Sequence, residues 1–254
     1  MTVLTNDVAV ARVEPALGGR LASLVVRGTE LLVTGAAHDH PMMWGSFPMV
    51  PWAGRIRGAR FSFDGREHEL PANLAPHAIH GTGYVARWHE LGDGTLRHDF
   101  DAAWPFGGYA LQRFALDDRG LTCTLEVHAE RPMPAMVGWH PWFRRPVELT
   151  FAAASMYRRD GDGIASVELI TAPPGPWDDC FTGVDAPPQL TWPDGPTVTI
   201  TSSCDHWVVY DEPSHALCVE PQSGPPDEFN LRGAQARIVR PGRPFVAWMR
   251  LSWS

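Results

Sequence analysis

Prolines and glycines recur so often along this chain, 24 of each in 254 residues, that few stretches could hold a long helix. Between these breaks the hydrophobic pattern has a period of two. Leu121, Cys123, Leu125 and Val127 alternate with Thr122, Thr124, Glu126 and His128. Phe245, Ala247, Met249, Leu251 and Trp253 alternate with Val246, Trp248, Arg250 and Ser252, and Val198 and Ile200 sit among Thr197, Thr199 and Thr201. That alternation turns one face of a strand inward. Asp64-Gly65, set between Phe61-Ser62-Phe63 and a run from Arg66 to Leu70, reads as a tight hairpin. Gly92-Asp93-Gly94, Asp118-Arg119-Gly120, Pro193-Asp194-Gly195 and Pro241-Gly242 punctuate the chain in the same way. There is no heptad and no repeat of fixed period. The expectation is an all-β protein, a sandwich of large antiparallel sheets or a barrel. The proline-rich stretches 172–176 and 185–188 read as loops between strands or sheets, and residues 1–254 as a single domain.

A hydrophobic fraction of 44%, with 11 Trp and 11 Phe, is enough for a sizeable core. A formal net charge of -8 does not suit coating nucleic acid or an anionic membrane. No apolar run is long enough to cross a bilayer, and the first residues lack a basic stretch followed by an apolar one. Cys123, Cys180, Cys204 and Cys218 form no Cys-x-x-Cys pair. Reduced, buried thiols in a cytoplasmic protein, monomer or homodimer, are expected.

Three islands carry acid–base groups beside Gly, Pro or aromatic residues: Ala78-Ile79-His80-Gly81, Gly138-Trp139-His140-Pro141-Trp142-Phe143 and Val219-Glu220-Pro221-Gln222. Two imidazoles and a carboxylate can move protons on a neutral, hydroxyl-rich substrate near pH 7. Glu220 ends an apolar run just before Pro221, so it is expected at a sheet rim, partly desolvated and with a raised pKa; the plainer alternative is a rim carboxylate paired with an arginine. His140 among aromatic rings suits a sugar platform, or a core histidine. His80 precedes Gly81 and Gly83, which let a backbone approach a ligand closely; a histidine serving only its own turn is the alternative. Arg55 could bind vicinal hydroxyls or orient a carboxylate. Asp178 and Asp179 are neighbours on a strand and should point opposite ways, leaving one to face a site.

His38-Asp39-His40, and His77 and His80 with Glu69, have the spacing of possible metal ligands. Eleven histidines make close pairs common by chance, so a metal-free site is expected. No Gly-x-Ser-x-Gly elbow, Walker loop or strand–helix alternation is present, which disfavours serine, phosphoryl-transfer and nicotinamide chemistry.

In their order and spacing these segments resemble the aldose 1-epimerase (galactose mutarotase) family. They are residues 51–61, Leu70-Pro71-Ala72-Asn73, Ile79-His80-Gly81, Gly138 to Phe143, Asp178-Asp179-Cys180-Phe181, and the run from Val219 to Asn230. The resemblance implies a galactose mutarotase-like supersandwich, a β-sandwich of large antiparallel sheets, acting without a cofactor on a small sugar. It implies Glu220 as general base, His140 as general acid, and His80 assisting at the ring oxygen or positioning the sugar. Arg55 and Asp178 match positions that bind sugar hydroxyls, and Trp142 and Gln222 complete the expected substrate-binding set. Gly54 replaces an Asn common in the family, His77 stands near another, Trp142 takes a place often held by Tyr, and the chain is shorter than typical members. These departures bear on which sugar is preferred.

The expected reaction is interconversion of the α and β anomers of an aldose. Three alternatives stay open at this level. One is a sugar-binding or sugar-sensing protein on the same fold. A second is a glycosidase or lyase, which would pair Glu220 with Asp178. The third is a mutarotase for hexose 6-phosphates, with Arg57, Arg60 or Arg144-Arg145 holding the phosphate.

Overall fold

A computed structural model of the chain describes residues 1–37, 40–233 and 236–254. Among them, eleven strands form one antiparallel sheet. Its order is Thr2–Thr5, Ala9–Glu14, Arg20–Val26, Ser46–Met49, Gly138–Arg144, Ala216–Gln222, His206–Tyr210, Asp178–Thr182, Ser155–Arg159 and Ala165–Ile170, with Thr29–Glu30 pairing onto the third strand. Eight more form a second sheet in the order His89–Gly92, Thr95–Asp99, Tyr109–Asp117, Gly120–His128, Phe245–Trp253, Thr197–Ser202, Gln189–Thr191 and Glu148–Thr150.

The alternation read from the sequence is the packing that occurs. Leu121, Cys123, Leu125 and Val127 are buried and pair with Leu251, Met249, Ala247 and Phe245 in register, while Trp248 and Val246 face outward. The Asp64-Gly65 hairpin forms with both turn residues at positive φ, 52° and 70°, the requirement of a type I′ turn. The 172–176 loop joins two strands of the larger sheet. The 185–188 loop carries the chain from that sheet to the other.

One buried cluster joins residues of both sheets, Leu21, Phe47, Trp139 and Val209 from the larger and Leu121, Ile200 and Met249 from the smaller. Trp139 shows which face of the large sheet turns inward. Its indole N–H donates to the Gln112 side chain of the second sheet at 3.2 Å. By alternation, His140 and Trp142 on the same strand cannot both share that direction with Trp139; they stand on the opposite face.

Arg20 is a fully buried cation satisfied by backbone. It donates to the carbonyls of Leu17, Pro41, Trp44 and Tyr84 at 2.6–3.0 Å, and its guanidinium stacks 4.1 Å from the Trp44 ring. Burial lowers its pKa to about 10. Two of those bonds, to Pro41 and Trp44, tie the 41–44 loop to the sheet, and Met42 and Met43 of that loop line the cavity described next.

Candidate active site

The strands Gly138–Arg144 and Ala216–Gln222 are neighbours, with Gly138 opposite Gln222 and Trp142 opposite Cys218. That register sets His140 opposite Glu220. Pro141 and Pro221 bring no N–H to this part of the ladder, and here the side chains meet instead. His140 Nε2 lies 3.2 Å from Glu220 Oε1. The same row continues to Phe47 on one side of His140 and to Val208 and Cys180 beyond Glu220.

Glu220 is therefore not at a rim. It is 2% exposed and lies in a central strand. The sequence reading stopped the strand at Val219 because proline ends a ladder at most sites. Here the strand runs on to Gln222, with Pro221 paired in register to Trp207. The Gln222 amide N–H donates to Glu220 Oε2 at 3.2 Å.

His80 arrives from outside the sheet. The two-residue strands Arg55–Ile56 and Ala78–Ile79 pair with each other, and the His80 backbone N–H donates to the Gly54 carbonyl. Its ring stands edge-on to His140, centroids 5.1 Å apart. The role of Gly81 differs from the one read in the sequence. It takes φ of 75°, and a Cβ there would sit 2.0 Å from the Val50 carbonyl oxygen. The glycine allows a close approach of backbone to backbone, not to a ligand. Gly81→Ala is expected to cost about 3 kcal/mol or more and to lower Tm by roughly 6–12 °C, measured by thermal unfolding; a variant melting with the parent would refute the steric account.

All seven residues expected at the site, Arg55, His80, His140, Trp142, Asp178, Glu220 and Gln222, line one cavity of about 280 Å³. Trp142 stacks parallel to His140 at 5.2 Å and meets Tyr210 edge-on at 6.0 Å. Arg55 lies 3.6 Å from Asp178 and donates to the Gly163 carbonyl. Both Asp178 and Asp179 reach the Arg159 guanidinium, at 3.4 and 2.8 Å. Strict alternation predicts only one carboxylate on this side. The neighbouring strand carries a register shift between Tyr157 and Arg159, and a long arginine there spans the two. Arg159, Tyr210, Met42 and Met43 were not anticipated. Arg159 follows another arginine and reads locally as solvated charge, and the other three carry no local signal.

Among the described residues, four buried polar atoms at this cavity have no hydrogen-bond partner: His80 Nδ1, His140 Nδ1, Trp142 Nε1 and Gln222 Oε1. Buried polar groups are almost always paired, so this wall suits a hydroxylated ligand. Burial pushes the Glu220 carboxyl well above the usual carboxylate range, and the Asp178 charge adds to it. Burial also lowers the imidazoles of His140 and His80. Asp178 rises through burial, opposed by Arg55 and Arg159.

Among the described residues, ligand atoms of His140, Cys218 and Glu220 lie within 4.8 Å of one another. Glu220 is already engaged by His140 and Gln222. Cys218 is a buried thiol whose burial, with the nearby Glu220, holds it well above its ordinary pKa. Of the other possible metal ligands, His38 and Asp39 lie outside the described residues. His77 accepts the Gly58 N–H, and Glu69 pairs with Arg60.

An antiparallel sandwich with a buried carboxylate–imidazole cluster on the outer face of its larger sheet is a fold built around acid–base groups. Its family is settled by comparison: the chain belongs to the aldose 1-epimerase family, whose model matches residues 2–154. It is similar to the uncharacterized protein YphB of Escherichia coli K12, 35% identical over 104 residues, a stretch spanning 38% of this chain and 36% of that protein. The crystal structure of a candidate aldose 1-epimerase from the same organism matches with a TM-score of 0.87 at 22% identity, covering 99% of this chain and 98% of the other. A galactose mutarotase-like protein from Clostridium acetobutylicum matches with a TM-score of 0.85 at 16% identity, over 99% and 94% of the two chains. At these identities the structures establish the fold, a galactose mutarotase-like supersandwich. No helix among the described residues is long and apolar enough to cross a membrane.

Proposed function

We propose that this protein is a cofactor-independent mutarotase that interconverts the anomers of an unphosphorylated aldose. The observation that carries the reading is the 3.2 Å contact between His140 and Glu220, with His80 beside them in one cavity.

In the forward step Glu220 takes the proton of the anomeric hydroxyl as that O–H pair forms the aldehyde C=O. The C1–ring-oxygen bond breaks, and its electrons accept the proton that His140 donates. Rotation about C1–C2 presents the other face of the aldehyde, and closure returns both protons. The step turns a carboxylate–imidazolium pair into a carboxylic acid and a neutral imidazole. The pair carries one proton throughout, and burial favours the neutral form. A raised carboxyl pKa makes Glu220 a stronger base and a lowered imidazole pKa makes His140 a stronger acid. Both shifts favour the transfer from the charged pair, while the same burial makes that reactive pair the less populated form at rest. His80 assists at the ring oxygen or positions the sugar. Arg55, Asp178, Trp142 and Gln222 bind hydroxyls and the ring face, and Arg159 holds Asp178 in place. The chain has 21 arginines and no lysine, so the open-chain aldehyde meets no side-chain amine and Schiff-base chemistry has no nucleophile.

The charge balance of the cavity favours a neutral substrate. Its two arginines, Arg55 and Arg159, are both committed to Asp178 or Asp179. Arg57 pairs with Asp160, Asp162 and Asp227 and Arg60 with Glu67 and Glu69, and Arg145, bound to backbone carbonyls, does not line the cavity. Arg144 does not line the cavity. Among the described residues, no cation lining this cavity is left over for a phosphate. The volume falls just below the ~300–1,000 Å³ of drug-sized ligand pockets, which suits one sugar ring and not a polymer. Four free, buried cysteines support a cytoplasmic setting.

Polarimetry on freshly dissolved α-D-glucose, α-D-galactose and glucose 6-phosphate tests this reading. A neutral aldose is expected to equilibrate faster, with kcat/KM at least about tenfold above that for the phosphate, the scale of one unpaired buried charge. Acceleration of the phosphate alone would refute the neutral-substrate assignment, and no acceleration of any sugar would leave a sugar-binding protein.

A further inference from the structure

A second and larger depression, about 750 Å³, shares no lining residue with the cavity. It lies between the hairpin Arg60–Phe63/Arg66–Glu69 and the short ladder of Met133–Pro134 with Ile238–Val239. The ladder pairs Met133 with Val239, so Arg131 and Arg240, both on the lining, leave it at the same end. Arg66 opens the second strand of the hairpin, across from Phe63. Three arginines thus line one groove of a protein whose net charge is -8.

Their charges are unspent. Arg131 donates to the carbonyls of Phe106 and Pro105, which fixes the guanidinium 5.4 Å from the Phe106 ring without neutralising it. Arg66 and Arg240 have no hydrogen-bond or carboxylate partner for their side chains among the described residues. Asp64 is the one carboxylate on the described lining. The floor is aromatic. His68 packs 4.6 Å from Phe106, and Phe63 meets the same ring edge-on at 5.4 Å. His68 and Phe63 stay half-buried and so offer ring surface to a ligand.

Guanidinium forks match phosphate oxygens, and aromatic surface takes a nucleobase or the C–H face of a pyranose. We infer that this groove binds a small ring compound carrying a phosphate monoester, separately from the proposed sugar cavity. A nucleotide and a sugar phosphate share that chemistry, and the assay separates them.

Calorimetric titration of the full chain at low salt would use AMP, glucose 6-phosphate and inorganic phosphate as probes. At least one ring phosphate is expected to bind roughly tenfold more tightly than inorganic phosphate, and to weaken as salt is raised. AMP binding tighter identifies a base on the aromatic floor; glucose 6-phosphate binding tighter identifies a sugar ring. The double variant R66E/R240E is expected to weaken that binding about tenfold or more, with R66Q/R240Q intermediate. Both positions are exposed, so thermal melting should be unchanged, and so should the rate of mutarotation. No binding of either ring phosphate, binding equal to that of inorganic phosphate, or binding untouched by the double variant would each overturn the inference. The mutarotation rate is read separately, so failure of the groove and failure of the proposed activity remain distinct.

Discussion

Glu220→Gln is expected to lower kcat about 10²–10⁴-fold, the usual contribution of a positioned base, while the chain folds as before. Most charge removals at a buried pair destabilise, because the partner is left charged and alone. This site is different in two respects. Burial already favours the neutral carboxyl, so glutamine resembles the form the pocket prefers. His140 can also switch tautomer, so that Nε2 accepts from the new amide instead of donating to a carboxylate. The amide oxygen remains to accept the Gln222 N–H that Glu220 Oε2 now takes. Polarimetry should therefore show lost catalysis beside an unchanged melting curve. A variant that still accelerates mutarotation like the parent would remove Glu220 from the mechanism; one that unfolds would show that the carboxylate holds the strands together.

What could be read from the sequence divides along a physical line. Period-two patterning and Asp-Gly turns are local, and they located the strands around Leu121–Val127 and Phe245–Trp253 and the hairpin at Asp64-Gly65 correctly. The site depends on strand order, which is not local. Residues 138–144 and 216–222 are neighbours although some 70 residues separate them, and no spacing rule reports that. The joint order of the islands, through the family resemblance, supplied seven of the residues that line the cavity. The local readings failed where tertiary contacts overrode a rule. Pro221 looked like a strand end and sits inside a central strand. Gly81 looked like a ligand approach and serves the Val50 carbonyl. Asp178 and Asp179 looked mutually exclusive and are joined by Arg159, whose reach depends on a register shift in the next strand.

His140→Gln is expected to lower kcat by a similar 10²–10⁴-fold, and its combination with Glu220→Gln separates a catalytic pair from two independent residues. If the two groups acted independently, the double variant would lose the product of the single effects, about 10⁴–10⁸-fold. The geometry argues otherwise. The side chains touch at 3.2 Å across a ladder interrupted by two prolines, and one proton serves both. Removing either leaves the other without a partner for the transfer, so most of the loss occurs with the first substitution. The double variant should then be no more than about tenfold slower than the slower single variant. A packing role predicts a different pattern. His140 lies against Phe47 and Trp142, at 4.8 and 5.2 Å, and if it served only to support them, Tm would fall while kcat per folded molecule held. Fully multiplicative losses would mean that Glu220 and His140 work on separate steps, and the shared-proton mechanism would have to be abandoned even with the activity intact.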